Sequence, residues 1–393
     1  MKTVVIIILS WMASFGLAQG NGDGPKDNEQ VILIADMQLQ IEINQAMNDL
    51  YNFKFEKAEQ QFRWLKQKYP WHPLPYFLMG LSEWWKIMPD LSNTSHDEKF
   101  LAHMDTVISI SERLFEKPKH EVEAAFFLAA AHGFVGRLHS SVERKSWRKS
   151  AVAGKNALKY MQYSKGKHEL SPELLFGDAL YNYFSVWVPE NYPLLKPIMM
   201  FFPKGDKELG IKQLKQVSYN AFYTRTEAMV FLMRILNSYE NDRARALQLG
   251  EYLHQTYPDN PYFHRYYARM LYSAGKFSST KPVAEKILAR IDSGALGYEG
   301  TSGRYASFFL GQIHQTRKEM EEAEYYYNRA VTFSENIGAT NTGYYHYSLL
   351  SLADIAKKKG DKRTAREYLK KVKKYADRKD RVHKEARQKM RDL

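Results

Sequence analysis

Apolar residues recur at helical spacing along this chain from residue 37 onwards. In the most regular segments an Ala is followed by apolar or small residues four and seven positions later, and residues at those offsets share one face of a helix. These segments are Ala58/Phe62/Leu65, Ala246/Gly250/Leu253, Ala323/Tyr327/Ala330 and Ala365/Leu369/Val372. No segment shows the sustained alternation of apolar and polar residues that is typical of strands. The pattern therefore predicts an all-α fold.

A second pattern precedes the first one. Gly311 lies 12 residues before Ala323, Ala353 lies 12 residues before Ala365, and each of the earlier small residues follows a Leu. Together the two patterns resemble the tetratricopeptide repeat, a helix-turn-helix unit of about 34 residues. The resemblance covers residues 37–377. It implies a tetratricopeptide-like α-α superhelical solenoid of about eight helix pairs.

The regularity of the repeats varies along the chain and predicts its organisation. Residues 37–220 are predicted to form irregular helix pairs with insertions at 88–98 and 188–205, whereas residues 221–377 form regular repeats. Residues 378–393 are predicted to be a basic helix that caps the C-terminal end of the solenoid. Because one repeat cannot bury its apolar face alone, the sequence predicts a single continuous core.

The first 18 residues have the layout of a secretory signal peptide. Lys2 supplies a positive charge, the stretch from Val4 to Leu17 is largely apolar, and Ala18 precedes the predicted cleavage site. An uncleaved membrane anchor is the alternative, but a spanning helix needs roughly 20 apolar residues. The protein is therefore predicted to be exported, as a periplasmic or secreted protein, and residues 19–36 to be a flexible lead-in.

Composition removes several kinds of chemistry. The 393 residues include no cysteine, which excludes disulfides, thiolate metal ligands and cysteine nucleophiles. The 12 histidines are scattered, and neither a helical zinc motif nor a Gly-x-Ser-x-Gly elbow occurs. The sequence therefore predicts no catalytic residues, no metal site and no cofactor. A non-enzymatic scaffold is the leading interpretation, and an enzyme built from the irregular residues 86–220 is an alternative.

The resemblance also implies a place for a binding site, because this family binds extended peptides on the concave face formed by the first helix of each pair. One such helix carries two arginines framed by two tyrosines, a combination that suits a carboxylate and apolar side chains, and the neighbouring first helix adds aromatic and polar residues. The predicted residues for binding a protein or peptide partner are Tyr262, Arg265, Arg269, Tyr272, Tyr305, Phe308 and Gln312. In the alternative interpretation these rings pack between helices and the arginines form ion pairs.

The C-terminal end carries most of the net charge of +13. Residues 357–393 contain 17 Lys or Arg and 6 Asp or Glu, a local net charge of +11. One interpretation is a solvated cap, since charge runs are usually exposed faces. The other is an envelope assembly factor that docks on anionic lipid or another polyanion. The residues predicted to make that contact are Lys370, Lys371, Lys373 and Lys374. Export makes nucleic acid an unexpected partner.

Overall fold

The computed structural model describes residues 31–141, 143–193, 196, 200 and 203–393. Within these ranges the chain forms 17 α-helices and two short 3-10 helices, and it forms no strand. Most helices pack against the helix that follows them in sequence. They succeed one another as eight helix pairs and one final helix. The predicted all-α fold and its solenoid of about eight helix pairs are therefore confirmed.

The described residues belong to two compact units, which divide the chain between Asn241 and Asp242. The first helices of successive pairs contact one another in unit 1, since its third helix packs against both the first and the fifth. The described helices of unit 1 are α1 (Met37–Tyr51), α2 (Phe55–Lys68), α3 (Pro73–Ile87), α4 (Asp97–Phe115), α5 (Glu121–His139), α6 (Trp147–Ser164), α7 (Leu175–Asn191), α8 (Lys207–Asn220) and α9 (Arg225–Ser238).

Helix α9 packs across earlier helices of unit 1, which explains why the unit ends after it. The indole N–H of Trp85 in α3 donates a hydrogen bond of 2.9 Å to the Glu227 carboxylate of α9. The ring of Phe231 lies 5.3 Å from the Arg137 guanidinium of α5 and 5.8 Å from the Phe176 ring of α7. The sequence grouped α9 with the regular repeats from residue 221, whereas these contacts assign it to unit 1.

The predicted signal peptide, residues 1–18, lies outside the described residues, as does most of the predicted lead-in. The described end of the lead-in has a fixed structure, because Leu33–Ala35 forms a 3-10 helix and its first two side chains are buried. The backbone N–H of Ile34 donates a hydrogen bond of 2.7 Å to the Glu123 carboxylate. The predicted boundary at residue 36 therefore differs from the structure, in which residues 33–35 belong to unit 1.

The two predicted insertions connect paired helices. Residues 88–96 join α3 to α4. The Arg144 guanidinium donates hydrogen bonds to the Leu91 and Asn93 carbonyls of this connection and, at 2.6 and 2.7 Å, to the Asp97 carboxylate at the start of α4. The second insertion lies between α7 and α8. Helix α7 continues to Asn191, so its C-terminal end extends beyond the predicted start of the insertion at residue 188.

Unit 2 comprises eight helices. Most pack against their sequence neighbours. The final helix contacts the two helices that precede it, and its Val382 and Ala386 are buried. That final helix lies within residues 378–393, the segment predicted to cap the end. The helices of unit 2 are α10 (Arg243–Thr256), α11 (Pro261–Ser273), α12 (Phe277–Asp292), α13 (Gly300–Thr316), α14 (Met320–Asn336), α15 (Gly343–Lys358), α16 (Lys362–Tyr375) and α17 (Arg381–Arg391).

The small-residue pattern marks the buried face of the second helix in four of the pairs. These residues are at most 1% exposed, because each helix turns this face toward its neighbours. They are Ala58, Phe62 and Leu65 in α2, Ala246 and Leu253 in α10, Ala323, Tyr327 and Ala330 in α14, and Ala365, Leu369 and Val372 in α16. The face predicted from the four- and seven-residue spacing is therefore the core face in both units.

Candidate binding surface

The first helices of the last three pairs, α11, α13 and α15, form one layer of unit 2, in which α13 contacts both of the others. Each begins after an N-cap residue, namely Asn260, Glu299 and Thr342. The Asn260 side chain accepts a hydrogen bond of 3.0 Å from the Tyr262 N–H, and the Glu299 carboxylate accepts one of 3.1 Å from the Ser302 N–H. This layer carries all seven residues predicted to bind a partner.

Aromatic rings connect the three helices of the layer. Tyr272 of α11 stacks on Phe309 of α13 with 4.2 Å between the ring centroids. Tyr344 of α15 lies 4.7 Å from Phe308 and 4.9 Å from Tyr305, both of α13. Burial raises the pKa of Tyr272 to about 12, so its phenol is neutral at physiological pH. The rings therefore hold neighbouring repeats together and give the layer an aromatic surface.

Arg265 lies inside the layer and not at its surface. The residue is 7% exposed, and its guanidinium forms an ion pair of 2.5 Å with the Glu299 carboxylate. It also lies 3.3 Å from the Ser302 hydroxyl. The positive charge of Arg265 is thus compensated within the protein, as the ion-pair interpretation expects.

Arg269, one helical turn later, lies among tyrosine rings. Its guanidinium carbon is 4.7 Å from the Tyr305 centroid and 5.3 Å from the Tyr266 centroid. Burial acts to lower the pKa of Arg269, but the surrounding tyrosines outweigh it and raise the pKa, so the guanidinium stays charged. No carboxylate in the described part of the chain forms an ion pair with Arg269.

Arg304 is a second cation of this kind. It is 7% exposed, its Nη1 donates a hydrogen bond of 3.0 Å to the Thr342 hydroxyl, and its guanidinium carbon lies 5.0 Å from the Tyr305 centroid. Its Nε is buried and has no hydrogen-bond partner among the described residues. Two charged guanidinium groups therefore lie against one tyrosine ring, and neither is paired with a carboxylate in the described part of the chain.

A family model described as the tetratricopeptide repeat matches residues 346–378. The match begins in α15 and includes all of α16, so it covers one helix pair at the end of the layer. This segment is a tetratricopeptide repeat. No curated protein matches the chain. Stacked helical repeats present extended binding surfaces, so this match and the helical fold together suggest a protein-interaction scaffold.

The remaining residues predicted to bind a partner have mixed positions. Tyr262 and Phe308 are buried. Gln312 donates a hydrogen bond of 2.8 Å to the hydroxyl of the buried Tyr327, so its side chain supports the packing of α13 on α14. Tyr272 and Tyr305 are half-buried at the face. Four of the seven predicted residues are thus engaged inside the repeat layer.

Two residues of this surface were missed by the sequence analysis, Arg304 and Tyr344. Tyr344 lies near both arginines that lack a carboxylate partner. Burial raises the pKa of its phenol, and the positive charges of Arg269 and Arg304 oppose that rise. A signal for Arg304 was present in the sequence, because it lies five residues after the N-cap Glu299, just as Arg265 lies five residues after Asn260. We call Arg269, Arg304, Tyr305 and Tyr344 the arginine–tyrosine cluster.

The four lysines predicted to bind a polyanion lie on α16 and are all exposed. Lys371 forms an ion pair of 2.9 Å with Glu335. Lys374 lies over the Tyr375 ring at 4.9 Å. Within the described residues, Lys370, Lys373 and Lys374 form no ion pair with a carboxylate. The buried face of α16 and its lysine face are therefore distinct.

Three carboxylates in the described part of unit 1 are 4% exposed or less. Glu123 lies 3.1 Å from His72 Nε2 and 3.4 Å from His120 Nδ1, and although burial raises its pKa, these contacts and the Ile34 N–H lower it to about 2. Burial raises the pKa of Glu173 and of Glu227.

Each of these carboxylates has a structural partner. Glu173 accepts hydrogen bonds of 2.6 to 3.0 Å from the backbone N–H groups of residues 222–224, just before α9. Glu227 accepts the Trp85 indole N–H. These groups fix unit 1 internally and are 4% exposed or less, so they do not line an open cleft of the kind that the enzyme interpretation requires.

Two further kinds of site are absent from the described residues. No three His, Asp or Glu side chains lie close enough together there to bind a metal ion. None of the helices described above combines the length and apolar character needed to cross a membrane.

Proposed function

We propose that this protein is an exported, non-enzymatic scaffold that binds an extended segment of a partner protein along the face of α11, α13 and α15. The observation that carries the proposal is the arginine–tyrosine cluster, where two charged arginines have no carboxylate counter-charge among the described residues. Buried or half-buried cations without a counter-charge are costly, and a bound acidic or polar segment would compensate them. The proposed export rests on the layout of residues 1–18.

Site-specific photo-crosslinking in cells tests the proposed face. Tyr347 is exposed and lies three residues after Tyr344, on the same stripe of α15. Tyr325 is an exposed tyrosine on α14, the second helix of its pair. With p-benzoylphenylalanine at each position in turn, we expect a discrete crosslinked partner band from position 347 and none from position 325. Equal crosslinking from both positions would contradict the proposed face.

Attachment to an anionic surface through α16 is a second candidate function. The observation that favours it is the set of exposed lysines on α16 that form no ion pair among the described residues, Lys370, Lys373 and Lys374. Each basic residue near an anionic membrane contributes on the order of 1 kcal/mol to binding. Three or four such contacts are therefore enough for measurable attachment.

Charge reversal on α16 separates this function from a solubilising role. Changing Lys370, Lys371, Lys373 and Lys374 to Glu should abolish co-sedimentation with phosphatidylglycerol vesicles, because the local charge falls by eight units. Wild-type binding should weaken with salt, as the Debye length shortens from ~10 Å at 0.1 M to ~3 Å at 1 M. Helix content should stay the same, since all four side chains are exposed.

A matched control is available on α6 of unit 1. Arg148, Lys149, Lys155 and Lys159 are four exposed basic residues, and their reversal to Glu makes the same change in total charge. This control should keep most of the vesicle binding. If wild-type protein ignores anionic vesicles at low salt, the lysines of α16 only keep the protein soluble, and the scaffold function stands alone.

A further inference from the structure

Two successive repeats carry an arginine at the same structural position. Arg265 and Arg304 each lie five residues after the N-cap of their helix, and each is 7% exposed. Each side chain extends to the N-cap residue of the next first helix in the layer. Arg265 contacts Glu299 and Arg304 contacts Thr342. The repeats therefore provide an internal comparison between two arginines in equivalent surroundings.

The two arginines differ in what they contact. The Glu299 carboxylate compensates the charge of Arg265 at 2.5 Å. Thr342 offers only a hydroxyl to Arg304, at 3.0 Å, and the buried Nε of Arg304 has no hydrogen-bond partner in unit 2. A carboxylate that is present at the first position is thus replaced by a neutral group at the second. Leaving a buried charged donor unpaired costs free energy, so a ligand that pairs with it gains affinity.

Arg269 adds a second positive charge beside Arg304. Both guanidinium carbons lie close to the Tyr305 ring, so they are within about 10 Å of each other. Arg269, Tyr305 and Tyr344 are half-buried, which leaves this side of the cluster in contact with solvent. A planar carboxylate matches the Nε and Nη donors of arginine, with which it forms paired hydrogen bonds.

We propose that Arg304 and Arg269 bind a side-chain carboxylate, Glu or Asp, of the partner segment. This inference rests on the proposed function and names the chemistry that the same face recognises. The template for the bound group is Glu299, a side-chain carboxylate that occupies the equivalent place at Arg265. The partner therefore presents an acidic residue where the protein itself supplies one in the preceding repeat.

A capped tetraglutamate peptide, acetylated at its N-terminus and amidated at its C-terminus, is the direct probe. Fluorescence anisotropy should detect its binding to the full mature chain, and Arg304→Gln should weaken that binding at least tenfold. Thr342→Glu should do the same, because an internal carboxylate then occupies the site, whereas Thr342→Gln should bind like wild type. Arg363→Gln is the control, since the Arg363 side chain is 92% exposed on α16, outside the layer.

The melting temperature of the Thr342 variants gives a readout that needs no ligand. Thr342→Glu should melt higher than Thr342→Gln, because the new carboxylate compensates the buried charge of Arg304. Equal melting temperatures, or a wild-type protein that does not bind capped tetraglutamate, would overturn the proposal. Binding of an acetylated tetraleucine with a free C-terminal carboxylate, with none of the capped tetraglutamate, would also overturn the assignment to a side chain.

The outcomes for the two proposals can be told apart. If capped tetraglutamate fails to bind while position 347 still crosslinks a partner, the scaffold function stands and only carboxylate recognition is lost. If position 347 gives no crosslink and position 325 does, the face itself is wrong, whatever the peptide result.

Discussion

Replacing Glu123 with glutamine is expected to lower the free energy of unfolding of unit 1 by about 3–5 kcal/mol, the usual cost of breaking a buried charged contact from one side. The carboxylate is 1% exposed and lies between two imidazoles, those of His72 and His120. Because His72 Nδ1 accepts a hydrogen bond of 3.1 Å from the Leu74 N–H, its proton is on Nε2, which faces Glu123. Glutamine keeps the size of the side chain and removes the charge.

The same carboxylate gives unit 1 a defined pH dependence. The pKa of Glu123 falls from the ordinary value of 4.5 to about 2 in the folded protein. A depressed carboxyl pKa stabilises the fold above the unfolded pKa, and this stabilisation is lost as the pH falls through the folded pKa. The difference in stability between wild type and Glu123→Gln should therefore be largest above about pH 4.5 and shrink toward pH 2.

Tryptophan fluorescence during urea unfolding measures this effect in unit 1 alone. All seven tryptophans of the sequence precede residue 188, so unit 2 contributes no tryptophan signal. Glu121→Gln is the control, since it makes the same chemical change on the same helix at a partly exposed position. An equal loss for Glu121→Gln and Glu123→Gln would mean that the buried contacts with the two histidines contribute nothing specific.

Replacing Gly311 with leucine is expected to destabilise unit 2 by about 1–3 kcal/mol, the usual scale for added bulk in a packed core. A Cβ atom at Gly311 would lie 2.7 Å from the Tyr327 ring, closer than carbon atoms can approach. The ring cannot easily move, because its hydroxyl is hydrogen-bonded to Gln312 and Gln315 and the residue is fully buried.

Far-UV circular dichroism should record a lower melting temperature for Gly311→Leu, while the tryptophan transition of unit 1 stays in place. Gly311→Ala should show a smaller loss in the same direction. Gly343→Ala is the control within unit 2, since a Cβ there meets nothing closer than 3.8 Å. An unchanged circular dichroism transition for Gly311→Leu would show that α13 and α14 can separate without cost.

The helix pairs could be predicted from the sequence because small and large residues recur with the geometry of a helix face. Ala323 and Tyr327 mark the buried side of α14, and Gly311 marks the place where α13 approaches it. These contacts join residues that are close in sequence, so they can be predicted from a repeating pattern of residues. The division between the units could not be predicted, because it depends on α9 packing against residues as distant as Trp85.

The binding surface was only partly predictable, because equivalent arginines differ in their distant partners. Arg265 and Arg269 looked alike in the sequence, since both lie on one stripe of α11. Their difference depends on Glu299, which is 34 residues from Arg265 and acts both as a helix cap and as a counter-charge. Comparing the N-cap residues of successive repeats would have shown that Thr342 replaces this carboxylate.

The contact between Trp85 and Glu227 also determines the order in which unit 1 can fold. These residues are 142 positions apart, and Glu173 binds backbone groups about 50 positions after it. Closing such long loops loses chain entropy before any contact compensates for it, so these contacts form late and slow the folding of the unit. Folding of unit 1 therefore cannot be completed until α9 has packed against the helices that precede it. A fragment that stops at residue 220 lacks the helix that completes the unit, and one that stops at residue 241 includes it.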